Sequence, residues 1–223
     1  GATLSAGVDN WFPSSANRTF APGSTSAKGD GDIDGNSRLA LTSNTGNVVL
    51  AGSVNVVAAD NTFTISAPLS GAGGITKSGA GRLVLNTAAS YTGATTVSQG
   101  TLAVADVNAT GAGTTVNVLQ DANLELNFAA GANTYQKTIT GAGNVIKNGA
   151  GSVSLDRAST YSGTTTITAG TLQLNAANAI QNSSAIYLNG GNLTAGQSQI
   201  FKTVHSKTGT TIDSSGLNLS PTR

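Results

Sequence analysis

An all-β chain, folded as a right-handed parallel β-helix of about ten coils, is the architecture this 223-residue sequence predicts. Three observations predict it: short apolar-x-apolar units recur along the chain, small polar residues separate them, and a 34-residue block occurs twice. The units outside the block are Leu39/Leu41, Val48/Leu50, Val54/Val56, Phe63/Ile65, Val116/Val118, Leu124/Leu126, Ile186/Leu188 and Leu217/Leu219. Alternation over three to five residues buries one face of a strand. Gly, Asn, Asp, Ser and Thr fill the gaps, and they accept the positive φ or the local side-chain bonds of tight turns. No segment holds an i, i+3, i+4, i+7 apolar stripe for three turns, so helix is nearly excluded.

The block is the strongest signal. Residues 69–102 align with 139–172 without a gap, and 16 of the 34 positions are identical. The copies read LSGAGGITKSGAGRLVLNTAASYTGATTVSQGTL and ITGAGNVIKNGAGSVSLDRASTYSGTTTITAGTL. Shared residues include Gly71, Lys77, Gly79, Tyr91, Gly93, Thr95 and Gly100, matched by Gly141, Lys147, Gly149, Tyr161, Gly163, Thr165 and Gly170. Sandwiches and barrels use longer strands and rarely repeat in this way. In a solenoid a coil takes about 20 to 25 residues, so the 70-residue offset of the copies corresponds to about three coils. Inward Val, Ile and Leu then stack on their equivalents about 4.8 Å away, while Thr and Asn form ladders outside. The expected organisation is an N-terminal cap or irregular first coils over 1–38 and a stem over 39–223.

Composition narrows the function. Only 9% of residues are charged and the net charge is +1, against about 25% charged in an ordinary soluble domain. Residues 1–68 carry a net −2 and residues 69–223 a net +3. No nucleic-acid-binding surface can be assembled from cations so few and so dispersed. Stacked coils explain the low charge, since backbone groups pair between coils and neutral side chains cover the outside. Cysteine is absent, which removes disulfides, thiolate catalysis and Cys-based zinc sites. Methionine is absent too, so a processed or truncated product is expected. No apolar run approaches the roughly 18 residues that span a bilayer.

The two copies resemble the passenger-associated transport repeat of bacterial autotransporters, whose pattern runs roughly GxGxLxKxGxGxLxLxxxNxYxGxTxxxxGxLxL. The resemblance covers Gly71 to Val104 and Gly141 to Leu174, with Ser90 and Thr160 where the pattern prefers Asn. It implies a passenger exported to the periplasm, carried across the outer membrane by its own C-terminal β-barrel, and displayed or released. That barrel is expected to be missing from this chain.

Catalytic, cofactor and metal sites are all expected to be absent, and the binding residues are not legible. The pairs Gly29/Gly31, Gly71/Gly73, Gly79/Gly81, Gly141/Gly143 and Gly149/Gly151 complete no GxGxxG or GK[ST] and open no helix, so they read as turns. His205 is the only histidine; a triad with Ser206 or Ser214 and Asp213 is conceivable, but strand neighbours point to opposite faces, and a solvated surface histidine is expected. Asp30, Asp32 and Asp34 alternate like a calcium loop, but Leu41 stands where its bidentate Glu belongs, so a solvated acidic turn is expected over a structural calcium. Asp106, Asp121, Glu125 and Asp156 read as outward or turn residues, and a hydrolase built on such carboxylates would rest on fold analogy alone. Trp11, Phe12 and Phe20, with Pro13, Arg18 and Pro22, read as a cap over the open solenoid end, or else as a recognition patch.

The function expected is therefore a non-enzymatic, virulence-type adhesin whose partner is a host cell-surface protein or glycan. Family habit carries that expectation. The alternatives are a released passenger acting as a soluble ligand on a host receptor, a self-associating stem, and a surface hydrolase.

Overall fold

The computed structural model describes residues 62–214 continuously, and outside them the strands at 2–5, 18–20, 40–41, 48–50, 54–57 and 219–221. The chain divides into two compact units, Gly1–Gly113 and Thr114–Arg223. Residues 6–17, 21–39 and their candidate cap and acidic loop lie outside the described residues, as do Trp11, Phe12, Asp30, Asp32 and Asp34.

The first unit contains β1 (Ala2–Ser5), β2 (Arg18–Phe20), β3 (Ala40–Leu41), β4 (Val48–Leu50), β5 (Val54–Val57), β6 (Thr62–Ile65), β7 (Leu69–Ser70), β8 (Ile75–Ser78), β9 (Arg82–Leu85), β10 (Thr95–Val97) and β11 (Gly100–Val104). They form three parallel stacks, β1-β5-β8-β10, β3-β6-β9-β11 and β2-β4-β7. Partners in register lie one coil apart in sequence: Val54 pairs Ile75, which pairs Thr95. Such stacking is a parallel β-solenoid.

The second unit contains β12 (Thr115–Val118), β13 (Ala122–Asn127), β14 (Ala132–Tyr135), β15 (Thr138–Thr140), β16 (Asn144–Asn148), β17 (Ser152–Leu155), β18 (Thr165–Ile167), β19 (Thr171–Leu174), β20 (Ile186–Leu188), β21 (Asn192–Ala195), β22 (Gln199–Phe201), β23 (Val204–Ser206), β24 (Ile212–Asp213) and β25 (Leu219–Pro221). It too is a parallel β-solenoid. Its two long stacks are sheet I, β13-β16-β18-β20-β23, and sheet II, β14-β17-β19-β21-β24. Two short pairings, β12-β15 and β22-β25, accompany them. No helix occurs among the described residues of either unit.

Burial follows the predicted alternation. In the first unit the columns Phe63-Leu83-Leu102 and Ile65-Leu85-Val104 point inward and are buried. In the second, Leu124-Val145-Thr165-Ile186 and Val153-Leu172-Leu193 do the same. Removing such a side chain forfeits both its transfer free energy and its contacts with the coils on either side.

The repeat earns its conserved look from the interior. Lys77 and Lys147 occupy inward columns, between Val56 and Val97 and between Leu126 and Ile167. Each is fully buried, yet each finds three carbonyls: Lys77 Nζ donates to Ser78, Gly79 and Gln99 at 3.0, 2.7 and 2.9 Å. Lys147 Nζ donates to Asn148, Gly149 and Ala169 at 2.8, 2.7 and 3.1 Å. The ammonium thus ties the turn of its own coil to the next coil. Gly100 and Gly170 must be glycine there, with φ of +67° and +65°, because a Cβ would run into the turn carbonyls beneath it. Tyr91 and Tyr161 are also fully buried, each hydroxyl 2.6 Å from the Thr95 or Thr165 hydroxyl four residues on. These bonds account for the Tyr-x-Gly-x-Thr spacing of the repeat.

Candidate functional site

Sheet I of the second unit carries the outer face that differs most from the rest. In strand β20 Ile186 and Leu188 point inward, so Tyr187 points out; in β23 the same alternation turns His205 out. Parallel register sets Tyr187 directly beside His205, and their rings stack with centroids 4.8 Å apart and planes 10° from parallel. That separation matches the spacing of adjacent strands, so the coil rise itself holds the two rings face to face. The full outward column runs Glu125, Ile146, Thr166, Tyr187, His205.

Two polar ladders flank the column. On one side Asn144 Nδ2 donates to Asn123 Oδ1 at 3.2 Å, and Asn144 Oδ1 accepts from the Thr164 hydroxyl at 3.0 Å. On the other, Thr168 Oγ1 donates to Asn148 Oδ1 at 3.1 Å, and the next positions of that row are exposed Asn189 and exposed Lys207, whose backbone N–H donates to the Leu188 carbonyl at 3.1 Å. Lys202, also exposed, stands at the bend before β23 and gives one hydrogen bond to the Asn182 carbonyl at 2.9 Å. Residues 157–212 contain Arg157, Lys202, Lys207 and His205 but no Asp or Glu. This face is therefore aromatic at its centre and basic at its rim.

The described carboxylates do not gather into a catalytic pair. Asp106 lies in an exposed turn, its carboxylate accepting from the Asn108 N–H at 2.8 Å, and Asp121 stands in a turn with φ +62°. Asp156 is exposed and accepts from Asn175 Nδ2 at 3.1 Å. Glu125 departs from the sequence expectation. It is 6% exposed rather than an open outward residue, with Asn148 Nδ2 donating to Oε1 at 3.1 Å. The neighbouring coil covers it, an effect that strand alternation alone cannot register. His205 is exposed as expected, and Asp213 sits on β24 in sheet II, not on the sheet of His205. Among the described residues no group of three or more His, Asp or Glu could hold a metal ion. Gly71, Gly79, Gly141 and Gly149 stand in turns with positive φ.

Desolvation perturbs the interior groups. It pushes the Lys77 and Lys147 ammonium groups down to about 8. Lys137 is lowered in the same direction, first by burial and then by the nearby Arg157 charge. Tyr91 is pushed up to about 12 and Tyr161 higher still, both by burial. None of these groups lies on the aromatic face.

Tyr187 is what sequence reading missed. It lies outside both copies of the repeat, and its relation to His205 appears only once the register of β20 and β23 is known. The usable signals were the single histidine and the acid-free stretch around it.

Comparison with known proteins places the chain. The passenger-associated transport repeat model matches residues 75–104 and 145–174, the strands and turns that hold Lys77, Tyr91, Lys147 and Tyr161. The adhesin BmaC autotransporter of Brucella suis biovar 1 (strain 1330) is 34% identical over 154 residues, covering 55% of this chain. The matched region is 4% of that relative's length. No solved structure matches significantly. An autotransporter passenger works at the bacterial surface or in the medium, reached through the periplasm. Both repeats are built into parallel β-solenoid coils, so the chain carries two passenger-associated transport repeats and is similar to autotransporter passenger sequence.

Proposed function

We propose that this chain is an adhesin-type passenger that holds host cells through the Tyr187–His205 face of sheet I. The stacked ring pair carries the reading. Elsewhere the described exterior carries mostly small or polar residues, Ala, Thr, Ser and Asn foremost, and aromatic rings grouped with cations are favoured binding anchors. The similarity to a protein named an adhesin supports the same reading. A host cell-surface protein or glycan is the partner class. Binding without turnover suits a site whose groups are rings, amides and ammonium ions, with no described carboxylate on the strand of His205.

The test is binding of the purified 223-residue chain to intact host cells, with Tyr187→Ser and His205→Ser alongside. The expected result is saturable binding that falls at least tenfold in either variant, with unchanged thermal unfolding. Equal binding by all three proteins would overturn the reading, and binding that activates a cell-surface receptor while the chain is free in solution would favour the soluble-ligand alternative.

A second reading, lateral self-association, draws on sheet II. Its outward column is Thr134, Ser154, Gln173, Thr194 and Asp213, a polar ladder without a bulky ring. Sedimentation across a hundredfold range of concentration tests it: a rising mass supports lateral pairing, and a constant monomer mass removes it.

A further inference from the structure

We propose that the sheet I face of the second unit binds an anionic saccharide, with His205 and Tyr187 as the stacking platform and Lys202 and Lys207 as the charge partners. The proposal rests on the adhesin reading and names the ligand class at the same face.

Four observations lead there. First, the described interior takes the other rings: Phe63, Tyr91, Phe128, Tyr135, Tyr161 and Phe201 are all buried. Tyr187 and His205 break that rule together, on adjacent coils, in register. Second, the pair is already ordered. Its planes lie within 10° of parallel, so a sugar ring stacking on the exposed imidazole meets a surface that loses little freedom on binding. Pyranose C–H groups are weakly positive and an aromatic face is negative, which makes such stacking favourable.

Third, the electrostatics select for an anion. Lys202 and Lys207 bracket β23 and are exposed, and no carboxylate occurs from residue 157 through 212. Asp213, the nearest in sequence, is on sheet II. One Lys202 N–H is engaged by the Asn182 carbonyl and its other donors are open to a carboxylate or sulfate oxygen. Fourth, polar groups that read hydroxyls surround the rings. The side chains of Thr166, Tyr187, Asn189 and Ser206 make no hydrogen bond to other described residues, whereas Asn144 and Asn148 in the flanking ladders are held by neighbouring coils. A saccharide uses all of these at once: C–H groups for the ring, hydroxyls for the amide and hydroxyls, an acidic group for the lysines. A phospholipid surface or an acidic peptide would use the lysines and leave the ring pair idle.

The experiment is titration calorimetry of the 223-residue chain with three probes: sialyllactose for a carboxylate, a heparin-derived hexasaccharide for sulfate, and lactose as the neutral control. At least one acidic probe is expected to bind tenfold or more tightly than lactose. Tyr187→Ser and His205→Ser should each weaken it at least tenfold, and the Lys202→Gln/Lys207→Gln double variant should weaken it and flatten its dependence on salt. Thr194→Ala, on sheet II, should bind like the parent. Lys207→Glu supplies a charge reversal on the surface should a ring variant unfold, and it too should lose binding. Equal affinity for lactose, full affinity in the ring or lysine variants, or no heat with any saccharide at millimolar concentration would each overturn the proposal. So would binding confined to phosphatidylserine vesicles or polyglutamate. If saccharides fail while Tyr187-dependent binding to host cells persists, the ligand class is wrong and the adhesin face stands; if both fail, the face itself is wrong.

Discussion

Sheets I and II of the second unit share one construction and differ on the outside. Both are five-strand parallel stacks with buried inward columns, Leu124-Val145-Thr165-Ile186 in one and Val153-Leu172-Leu193 in the other. Their outward columns part company: sheet II shows Thr134, Ser154, Gln173, Thr194 and Asp213, while sheet I runs from Ile146 and Thr166 to Tyr187 and His205. Backbone pairing is blind to outward side chains, so the fold tolerates either column. What differs between the sheets is then free to be functional, and what they share is structural.

The largest expected effect comes from the shared turn. Gly170 joins β18 of sheet I to β19 of sheet II at φ +65°, and a Cβ there would lie 2.6 Å from the Gly149 carbonyl oxygen and 2.8 Å from Lys147 Nζ. Gly170→Ala adds backbone strain of roughly 1–3 kcal/mol to that clash, so a total loss above about 3 kcal/mol is expected. Thermal unfolding should show both sheets melting earlier, in one transition. A neutral result would mean that the turn can relax and that the Lys147 clamp is looser than its three hydrogen bonds suggest.

Next comes a core substitution confined to sheet II. Leu193→Ala empties a fully buried site between Leu172 and Ile212 and should cost about 2–5 kcal/mol. If the division between the sheets is real, host-cell binding by the folded fraction stays at the parent level. Loss of binding in fully folded protein would tie the two sheets functionally and break the comparison.

The fold was legible because its determinants repeat. Inward Leu102 and Leu172, the glycines at +67° and +65°, and the strand-turn alternation all appear twice in the sequence, and coil stacking turns that recurrence into a column. The cap or irregular first coils expected over residues 1–38 rest on aromatic content, and they lie largely outside the described residues. The binding face was only half legible. His205 could be placed on the surface from strand geometry, but its partner is 18 residues away and belongs to another coil. Coil lengths here vary, with 21 residues from Val145's partner Thr165 to Ile186 and 18 from Ile186 to Val204, so register cannot be counted from the sequence alone. The role of Lys77 and Lys147 was missed for a different reason. A lysine in an apolar column reads as a surface residue until three turn carbonyls are found around its ammonium.

The buried lysines give the smallest and sharpest prediction, because its sign depends on pH. Desolvation holds Lys147 at about 8 in the native protein, against 10.5 in the unfolded chain. Below pH 8 both states carry the proton and the cost of burying the ammonium is fully present. Between about 8 and 10.5 the unfolded chain binds more protons than the native one, so stability rises with pH across that window. Lys147→Met removes the titration and leaves the Asn148, Gly149 and Ala169 carbonyls without their shared donor, a loss of about 1–3 kcal/mol. The difference in unfolding free energy between parent and Lys147→Met should therefore grow in the parent's favour from pH 7.5 to about 10. A difference that stays flat would place the Lys147 ammonium in a solvated position, and a difference that shrinks would mean that the three carbonyls bind the charged form more strongly than burial opposes it.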